Sequence, residues 1–310
     1  MSQGQALVFA IKGNALDDGP GIRTVIFFKG CPLSCAWCHN PEGRRAPAEL
    51  ALHPDACLAL QPGVGEHGCG ACIAACPNHN PRPGSRLTGT CDRCFACAEV
   101  CPAGALERVG EPLTVEQILE RVEKDRPFFK ASGGGVTLSG GEPTAHLPLA
   151  RALAQALRQR GIHVLLETCG HFPLDGFDHQ LYPHLDAIYM DLKLADPEEH
   201  RRRCGVDNAL ILRNFRALAA RAQDGDVPLL PRIPLIPGVT THERNLRALA
   251  RIITEAGAPR VALVPYNPMW RDKAALASHA TDLEAGAQLM DREELDRCAT
   301  YFEEIEVVQG

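Results

Sequence analysis

Eleven of the fourteen cysteines in this chain of 310 residues fall within its first third. Cys31, Cys35 and Cys38 form a C-x3-C-x2-C triplet inside Gly30-Cys31-Pro32-Leu33-Ser34-Cys35-Ala36-Trp37-Cys38-His39-Asn40-Pro41. Three thiolates do not complete a tetrahedral zinc site, but they can hold three irons of a [4Fe-4S] cluster and leave the fourth open. An open iron can bind a substrate. The competing reading is a structural zinc site completed by His39, for which an x3-then-x2 spacing ahead of alternating strands and helices is uncommon.

The other eight cysteines of this region lie between Cys57 and Cys101. Cys91, Cys94, Cys97 and Cys101, followed by Pro102, spell a full C-x2-C-x2-C-x3-C-P run, the bacterial ferredoxin pattern in which the fourth cysteine serves the other cluster. Its mate is less regular. Cys69, Cys72 and Cys76 before Pro77 keep the last three positions, and Cys57 can supply the first if residues 60–68 are an insertion. One cluster is therefore assigned to Cys57, Cys69, Cys72 and Cys101, the other to Cys91, Cys94, Cys97 and Cys76. His53 and His67 are the substitutes for Cys57, and paired zinc knuckles are the alternative for the whole segment. Such a module would relay electrons toward the first triplet or mould a partner surface. Cys169, Cys204 and Cys298 have no partner at ligand spacing and read as small core or surface residues.

These groups need a scaffold. Strand-like runs occur at Ile22 to Phe28, Gly135 to Ser139, Ile162 to Glu167, Asp186 to Asp191, Leu229 to Leu235 and Arg260 to Val264, with helical patterns between them. Thr114 and Gln117 have capping-box spacing ahead of the apolar face Val115, Ile118, Leu119 and Val122; Ile211, Phe215 and Leu218 share another face. The alternation predicts parallel strands covered by helices, as a barrel-like or doubly wound sheet. In the run from Val227 to Gly238, proline recurs every third residue, which suits a polyproline II ligand or, more simply, an edge or terminal strand. Residues 42–110, rich in Gly, Pro and Ala, read as an insert stapled by metal. His200-Arg201-Arg202-Arg203 reads as a solvated helix face.

In parallel α/β folds the reactive groups gather at the carboxyl ends of the strands. Cys31 follows the first run, Gly140-Gly141-Glu142-Pro143 the second, Glu167-Thr168 ends the third, and Asp191-Leu192-Lys193 the fourth. Arg232 lies within the fifth, and Pro265-Tyr266-Asn267 follows the sixth. One rim would carry them all.

The composition, 45% apolar, 23% charged and 5% aromatic, excludes a disordered, collagenous or coiled-coil chain. A net charge of -6 gives no reason to expect nucleic acid or an anionic membrane as partner. No apolar run is long enough to span a bilayer, and Met1 to Lys12 lacks the order of a secretory signal, so a cytoplasmic location is expected.

Asp18-Gly19-Pro20-Gly21-Ile22-Arg23 leading into Phe27-Phe28-Lys29-Gly30-Cys31, then Cys35-Ala36-Trp37-Cys38-His39-Asn40-Pro41-Glu42, resembles the opening of the glycyl-radical enzyme activating enzymes. These are a branch of the radical S-adenosylmethionine (SAM) superfamily that includes pyruvate formate-lyase activating enzyme. The resemblance continues through Gly140-Gly141-Glu142-Pro143, Glu167-Thr168-Cys169-Gly170, Asp191-Leu192-Lys193, Arg232 and Val264-Pro265-Tyr266-Asn267-Pro268.

The resemblance implies a partial (β/α)6 TIM-like barrel made of residues 1–41 and 111–310, interrupted by a ferredoxin-like two-cluster domain at 42–110. It implies SAM and three [4Fe-4S] clusters as cofactors, a glycyl-radical enzyme as protein substrate, and a flavodoxin or ferredoxin as electron donor. The reduced cluster would cleave SAM to a 5'-deoxyadenosyl radical that takes a hydrogen atom from a backbone glycine of the partner. A radical SAM maturase that modifies a peptide and carries auxiliary clusters is the alternative. Gly140 and Gly141 would let backbone approach the methionine moiety and Glu142 would accept from its ammonium. Lys193 and Arg232 would meet the carboxylate, and Trp37 would pack on the adenine. Glu167, Thr168 and Asp191 would line the ribose side or a monovalent cation beside it. Asp18 would stand nearest the incoming glycine, unless it is only a turn aspartate.

Overall fold

The computed structural model describes residues 5–61, 69–78, 91–276 and 288–309; His67 lies outside them. In chain order the strands are β1 (Ala6–Ala15), β2 (Arg23–Phe28), β3 (Glu49–Leu52), β4 (Leu106–Val109), β5 (Glu111–Leu113) and β6 (Gly135–Gly140). They continue as β7 (His163–Thr168), β8 (Ala187–Asp191), β9 (Leu229–Leu235), β10 (Arg260–Pro265) and β11 (Glu306–Gln309). Nine form one sheet in the order β11-β10-β9-β8-β7-β6-β2-β1-β5. From β2 to β11 every pairing is parallel, whereas β1 runs antiparallel to β2, and β5 to β1. The six strands read from the sequence are the six successive parallel ones, so all their carboxyl ends lie on one edge.

The helices α1 (Ala71–Ala75) and α2 (Ala96–Glu99) precede the parallel strands that begin at β6. Next come α3 (Val115–Val122), α4 (Arg126–Ser132), α5 (Leu147–Gln159), α6 (Leu174–Gln180), α7 (Pro197–Cys204), α8 (Ala209–Gln223), α9 (Glu243–Glu255), α10 (Trp270–Leu276) and α11 (Arg292–Ala299). The start of α3 is the expected capping box: Gln117 N donates to Thr114 Oγ1 at 3.3 Å and Thr114 N to Gln117 Oε1 at 2.9 Å. Ile118, Leu119 and Val122 below it are buried, as are Ile211, Phe215 and Leu218 of α8. The inner strands bury Ile26, Val136, Leu138, Val164 and Leu166 in one continuous core, and Val25 and Leu165 are buried as well, which explains their nearly unbroken apolar runs.

Two expectations are corrected. The proline-rich run is neither an edge strand nor a polyproline ligand, since β9 is paired on both sides, Met190↔Pro231 with β8 and Val264↔Pro234 with β10. Each proline withdraws one donor, but the remaining carbonyls keep the ladder, as where Leu192 N donates to Arg232 O at 2.8 Å. The basic run on α7 is not uniformly solvated. His200 is buried and its Nδ1 meets Val206 O at 2.6 Å, while Arg201 and Arg202 reach exposed carboxylates of their own helix.

Between β2 and β5 the described chain leaves the nine-stranded sheet and forms a separate two-stranded neck. β3 pairs antiparallel with β4, from Glu49↔Val109 to Leu52↔Leu106. A buried ion pair ties that neck to the nine-stranded sheet, with Lys29 Nζ 2.7 Å from Glu49 Oε2 and 2.6 Å from Glu42 O. Among the described residues no helix is long and apolar enough to cross a membrane.

Candidate functional site

Past the end of β2 the chain turns at Gly30, whose φ of +112° a side chain would strain, and enters the triplet loop. The loop is pinned from two directions. Gly30 N and Cys31 N donate to Gly43 O and Arg44 O, and Ser34 N and Ala36 N donate to Cys204 O (2.8 Å) and Arg203 O (3.0 Å) at the end of α7. Cys35 is buried, Cys31 and Cys38 half-buried.

The three thiols sit close enough to feel one another. Burial, reinforced by the charges of Cys35 and Cys31, pushes Cys38 up to about 12. Cys35 is pulled below the ordinary thiol range by a hydrogen bond from Cys204 and, against burial, by the Lys193 ammonium. Cys38 thus resists ionisation, which added positive charge such as that of cationic iron would reverse. Among the described residues no three His, Cys, Asp or Glu side chains are gathered as they would be around a single metal ion.

The next strand end closes over this loop. Gly141 N donates to Phe28 O at 2.7 Å and Glu142 N to Gly30 O at 2.8 Å. A Cβ on Gly140 would lie 2.4 Å from Phe28 N, and one on Gly141 2.4 Å from Gly30 O and 2.5 Å from Gly43 O. The close approach that requires these glycines is made by the chain's own backbone. Glu142 is buried and accepts from Thr144 Oγ1 (2.7 Å), Thr168 Oγ1 (2.9 Å) and Cys169 N (2.8 Å), bracing the end of β7.

A charge network continues along the rim. Ser139 Oγ donates to Glu167 Oε2 at 2.6 Å and Arg232 Nη1 pairs with Glu167 Oε1. Arg232 Nε donates to Asp191 Oδ1 at 3.0 Å, and Lys193 Nζ to Asp191 Oδ2 at 2.9 Å. Register explains part of this, because Asp191 and Arg232 are direct neighbours across β8 and β9. Burial alone would raise Asp191, yet Lys193 and Arg232 outweigh it and hold its carboxyl at about 2. Asp18, whose backbone carbonyl accepts from Thr137 Oγ1 at 2.7 Å, faces the same network. Burial first, and then the charge of Glu167, push it up to about 6. The carboxylates of Asp18, Glu142, Glu167 and Asp191 thus share one rim with Arg23, Lys193 and Arg232, a dense charge network at the strand ends. Trp37 is buried in the apolar core, 5% exposed.

The insert cysteines sort into two groups. Cys57, Cys69, Cys72 and Cys101 line one small cavity beneath Leu52 and Leu106. Cys97 has Cys76 and Cys91 as its charged neighbours, and Cys94 is exposed. His53 instead meets Glu107, Nε2 to Oε2 3.1 Å.

Several site residues escape the sequence reading. Arg23, fully buried, donates to Thr137 Oγ1 (2.6 Å), Val136 O (2.7 Å) and Pro20 O (3.1 Å) and so fastens the Asp18–Gly21 loop. His146 Nε2 meets Lys29 O at 2.6 Å beside the triplet. Cys169 and Cys204 are buried, as expected of small core residues, and their thiols feel the charges of Cys31 and Cys35 respectively. Only Cys298 is buried away from the site, under α11. Spacing rules work within a loop and carry no signal for partners more than 130 residues apart.

Residues 90–250 match the family described as the Radical SAM superfamily, and residues 17–57 match a 4Fe-4S single cluster domain. The chain is 39% identical over 275 residues to the isethionate sulfite-lyase activating enzyme of Desulfovibrio desulfuricans, covering 87% of this chain and 85% of that protein. It is 37% identical over 286 residues to the (2S)-3-sulfopropanediol sulfolyase activating enzyme of Bilophila wadsworthia, covering 91% and 92%. Among solved structures, a radical SAM methyltransferase from Sphaerobacter thermophilus superposes with a TM-score of 0.54 at 12% identity, over 98% of this chain and 76% of that one, a likeness of fold alone.

Proposed function

The chain belongs to the radical SAM superfamily and, within it, to the activating enzymes of glycyl-radical enzymes, and from that membership we propose how its residues divide the work. The carrying observation is the convergence of Cys31, Cys35 and Cys38 on one pinned loop beside the Glu167–Arg232–Asp191–Lys193 network on one edge of the parallel sheet. When bound, the cluster and SAM supply a one-electron cleavage that yields the radical to be passed to a glycine of the partner enzyme.

The chain's own residues bind, orient and exclude water. Cys31, Cys35 and Cys38 hold the cluster and leave one iron open. Lys193 is held by Asp191, and Arg232 by Glu167 and Asp191, so both reach the carboxylate of SAM from fixed positions. Glu142, already oriented by Thr144, Thr168 and Cys169, sets the negative potential for its ammonium. Gly140 and Gly141 shape the wall beside the methionine moiety, and Trp37 stiffens the loop that meets the adenine. Glu167, Thr168 and Asp191 line the ribose side or a monovalent cation. A cationic ligand here lowers Asp18 toward its ordinary range, and Asp18 stands nearest the incoming glycine loop.

Residues 42–110 serve as an auxiliary module with two further [4Fe-4S] clusters, one on Cys57, Cys69, Cys72 and Cys101, the other on Cys76, Cys91, Cys94 and Cys97. The shared cavity of the first four supports that division. An acidic one-electron carrier such as flavodoxin or ferredoxin is the reductant. The relatives named for sulfonate lyases, at 37 to 39% identity, make a sulfonate-cleaving glycyl-radical enzyme the first partner to test.

Anaerobic reconstitution tests the assignment. About twelve irons per chain are expected, four for each of three clusters, with dithionite-dependent cleavage of SAM. Cys35→Ala abolishes cleavage, whereas Cys94→Ala leaves part of it. Zinc in place of iron, or no cleavage by the iron-loaded protein, overturns the reading; equal loss in both variants makes the insert structural only.

A further inference from the structure

Two buried asparagines outside the charge network hold the backbone that carries Lys193. Asn245, on the first turn of α9 and 9% exposed, accepts through Oδ1 from Ala195 N at 2.9 Å, while its Nδ2 donates to Thr240 O at 2.9 Å and to Lys193 O at 3.3 Å. Asn208, 3% exposed, donates through Nδ2 to Leu194 O and Ala195 O, each at 2.8 Å. With an amide N–H on one side and carbonyls on the other, each side-chain amide has one orientation that satisfies its partners. Asn208 stands at the N-cap of α8, where an asparagine ordinarily turns its oxygen on the first-turn amides; here it makes no such bond and faces the Lys193–Ala195 loop instead. Thr240 is itself fastened to the end of β9, its Oγ1 accepting from Ile236 N at 2.6 Å and donating to Pro234 O at 2.5 Å. Asn245 therefore locks the loop after β8 to the loop after β9, the strand that bears Arg232.

From this geometry we propose that Asn245, seconded by Asn208, is a positioning residue for Lys193, fixing its backbone so that the ammonium is presented to the SAM carboxylate from one place. This rests on the reading of Lys193 as a carboxylate partner. An ammonium on four flexible carbons stays in one place only if its Cα is held as well as its head. Asp191 Oδ2 holds the head at 2.9 Å, and the two asparagines hold the other end through the peptide groups of Lys193, Leu194 and Ala195. With that loop freed, Lys193 must be ordered at the moment of binding, and affinity falls by the cost of immobilising one long side chain. Both asparagines act only through Lys193 and have no need to reach SAM themselves.

The test is equilibrium dialysis of labelled SAM against the iron-loaded full chain, kept anaerobic and without reductant so that no turnover intervenes. Asn245→Ala weakens binding about three- to tenfold. Lys193→Met weakens it about tenfold or more, through the loss of a hydrogen bond between charged groups. The double variant binds no more weakly than Lys193→Met alone, because Asn245 acts through that side chain. Iron content is read on every variant. Should Asn245→Ala take up no iron, Asn208→Ala, which frees the same loop from the α8 side, is read in its place, alone and in the Lys193→Met background. Wild-type affinity in the iron-loaded asparagine variant, or a loss undiminished in the Lys193→Met background, overturns the proposal and leaves the asparagine as packing. Wild-type affinity in Lys193→Met refutes the carboxylate reading instead, so the two failures are distinguishable.

Discussion

Replacing Glu49 by glutamine removes the charge that faces Lys29 inside the joint between the insert neck and the triplet loop. The Lys29 side chain is 0% exposed and that of Glu49 8%, so no water takes over the lost interaction. Breaking a buried pair by removing one partner costs about 3–5 kcal/mol. Here the low end applies, about 3 kcal/mol, because Glu42 O still accepts from Lys29 Nζ at 2.6 Å. Lys29→Met costs less, about 2 kcal/mol, since Arg45 remains 3.1 Å from Glu49 and is itself more than half exposed. The double variant Lys29→Met with Glu49→Leu leaves neither charge buried and lies within about 1 kcal/mol of wild type. At about 2–4 °C per kcal/mol, Glu49→Gln lowers the midpoint of anaerobic thermal unfolding by roughly 6–12 °C. A loss under about 1 kcal/mol, or a double variant as unstable as the two singles summed, refutes the reasoning.

Asp18 gives a pH signature. Its carboxyl is raised from 3.8 to about 6, so the folded state binds the proton more tightly than the unfolded state, and this group's contribution to stability falls as pH rises from about 4 to 6. After allowance for partial exposure, Asp18→Asn is more stable than wild type by about 1 kcal/mol at pH 7 and equal to it near pH 4, read by urea denaturation. Gly141→Ala drives a Cβ to 2.4 Å from Gly30 O and 2.5 Å from Gly43 O, both backbone, at a cost of about 1–3 kcal/mol. Because Gly30 precedes Cys31, iron bound by the triplet falls in the same variant, measured by iron analysis in a Cys94→Ala background.

β2, β6 and β7 were legible because they are buried nearly throughout and so read as almost unbroken apolar runs, whereas β8 and β9 bury alternate residues. β1 was not. Its pairing with β2 shifts register between Val8 and Ala10 and again between Lys12 and Ala15, and Asn14 adopts φ +56°, so no alternation survives. β11, four residues long, is defined by its pairing with β10 rather than by its own pattern. Proline misplaced β9, since losing one donor is tolerable where both neighbouring strands still supply the rest of the ladder. In the site, Cys31, Cys35 and Cys38 were legible from spacing, and Glu167, Asp191, Lys193 and Arg232 from their places at strand ends. Lys29 and His146 were not, because what joins them to the triplet is the packing of α5 and the insert neck around one loop.

The most direct measurement is an electron paramagnetic resonance spectrum of a partner glycyl-radical enzyme after anaerobic incubation with this protein, SAM and a reductant. The expected result is a doublet, from an unpaired electron on a glycine α-carbon coupled to its one remaining hydrogen, formed only when SAM and reductant are both present and lost with Cys35→Ala. Cleavage of SAM without a radical on any glycyl-radical enzyme supplied, or the same doublet with Cys35→Ala, contradicts the assignment.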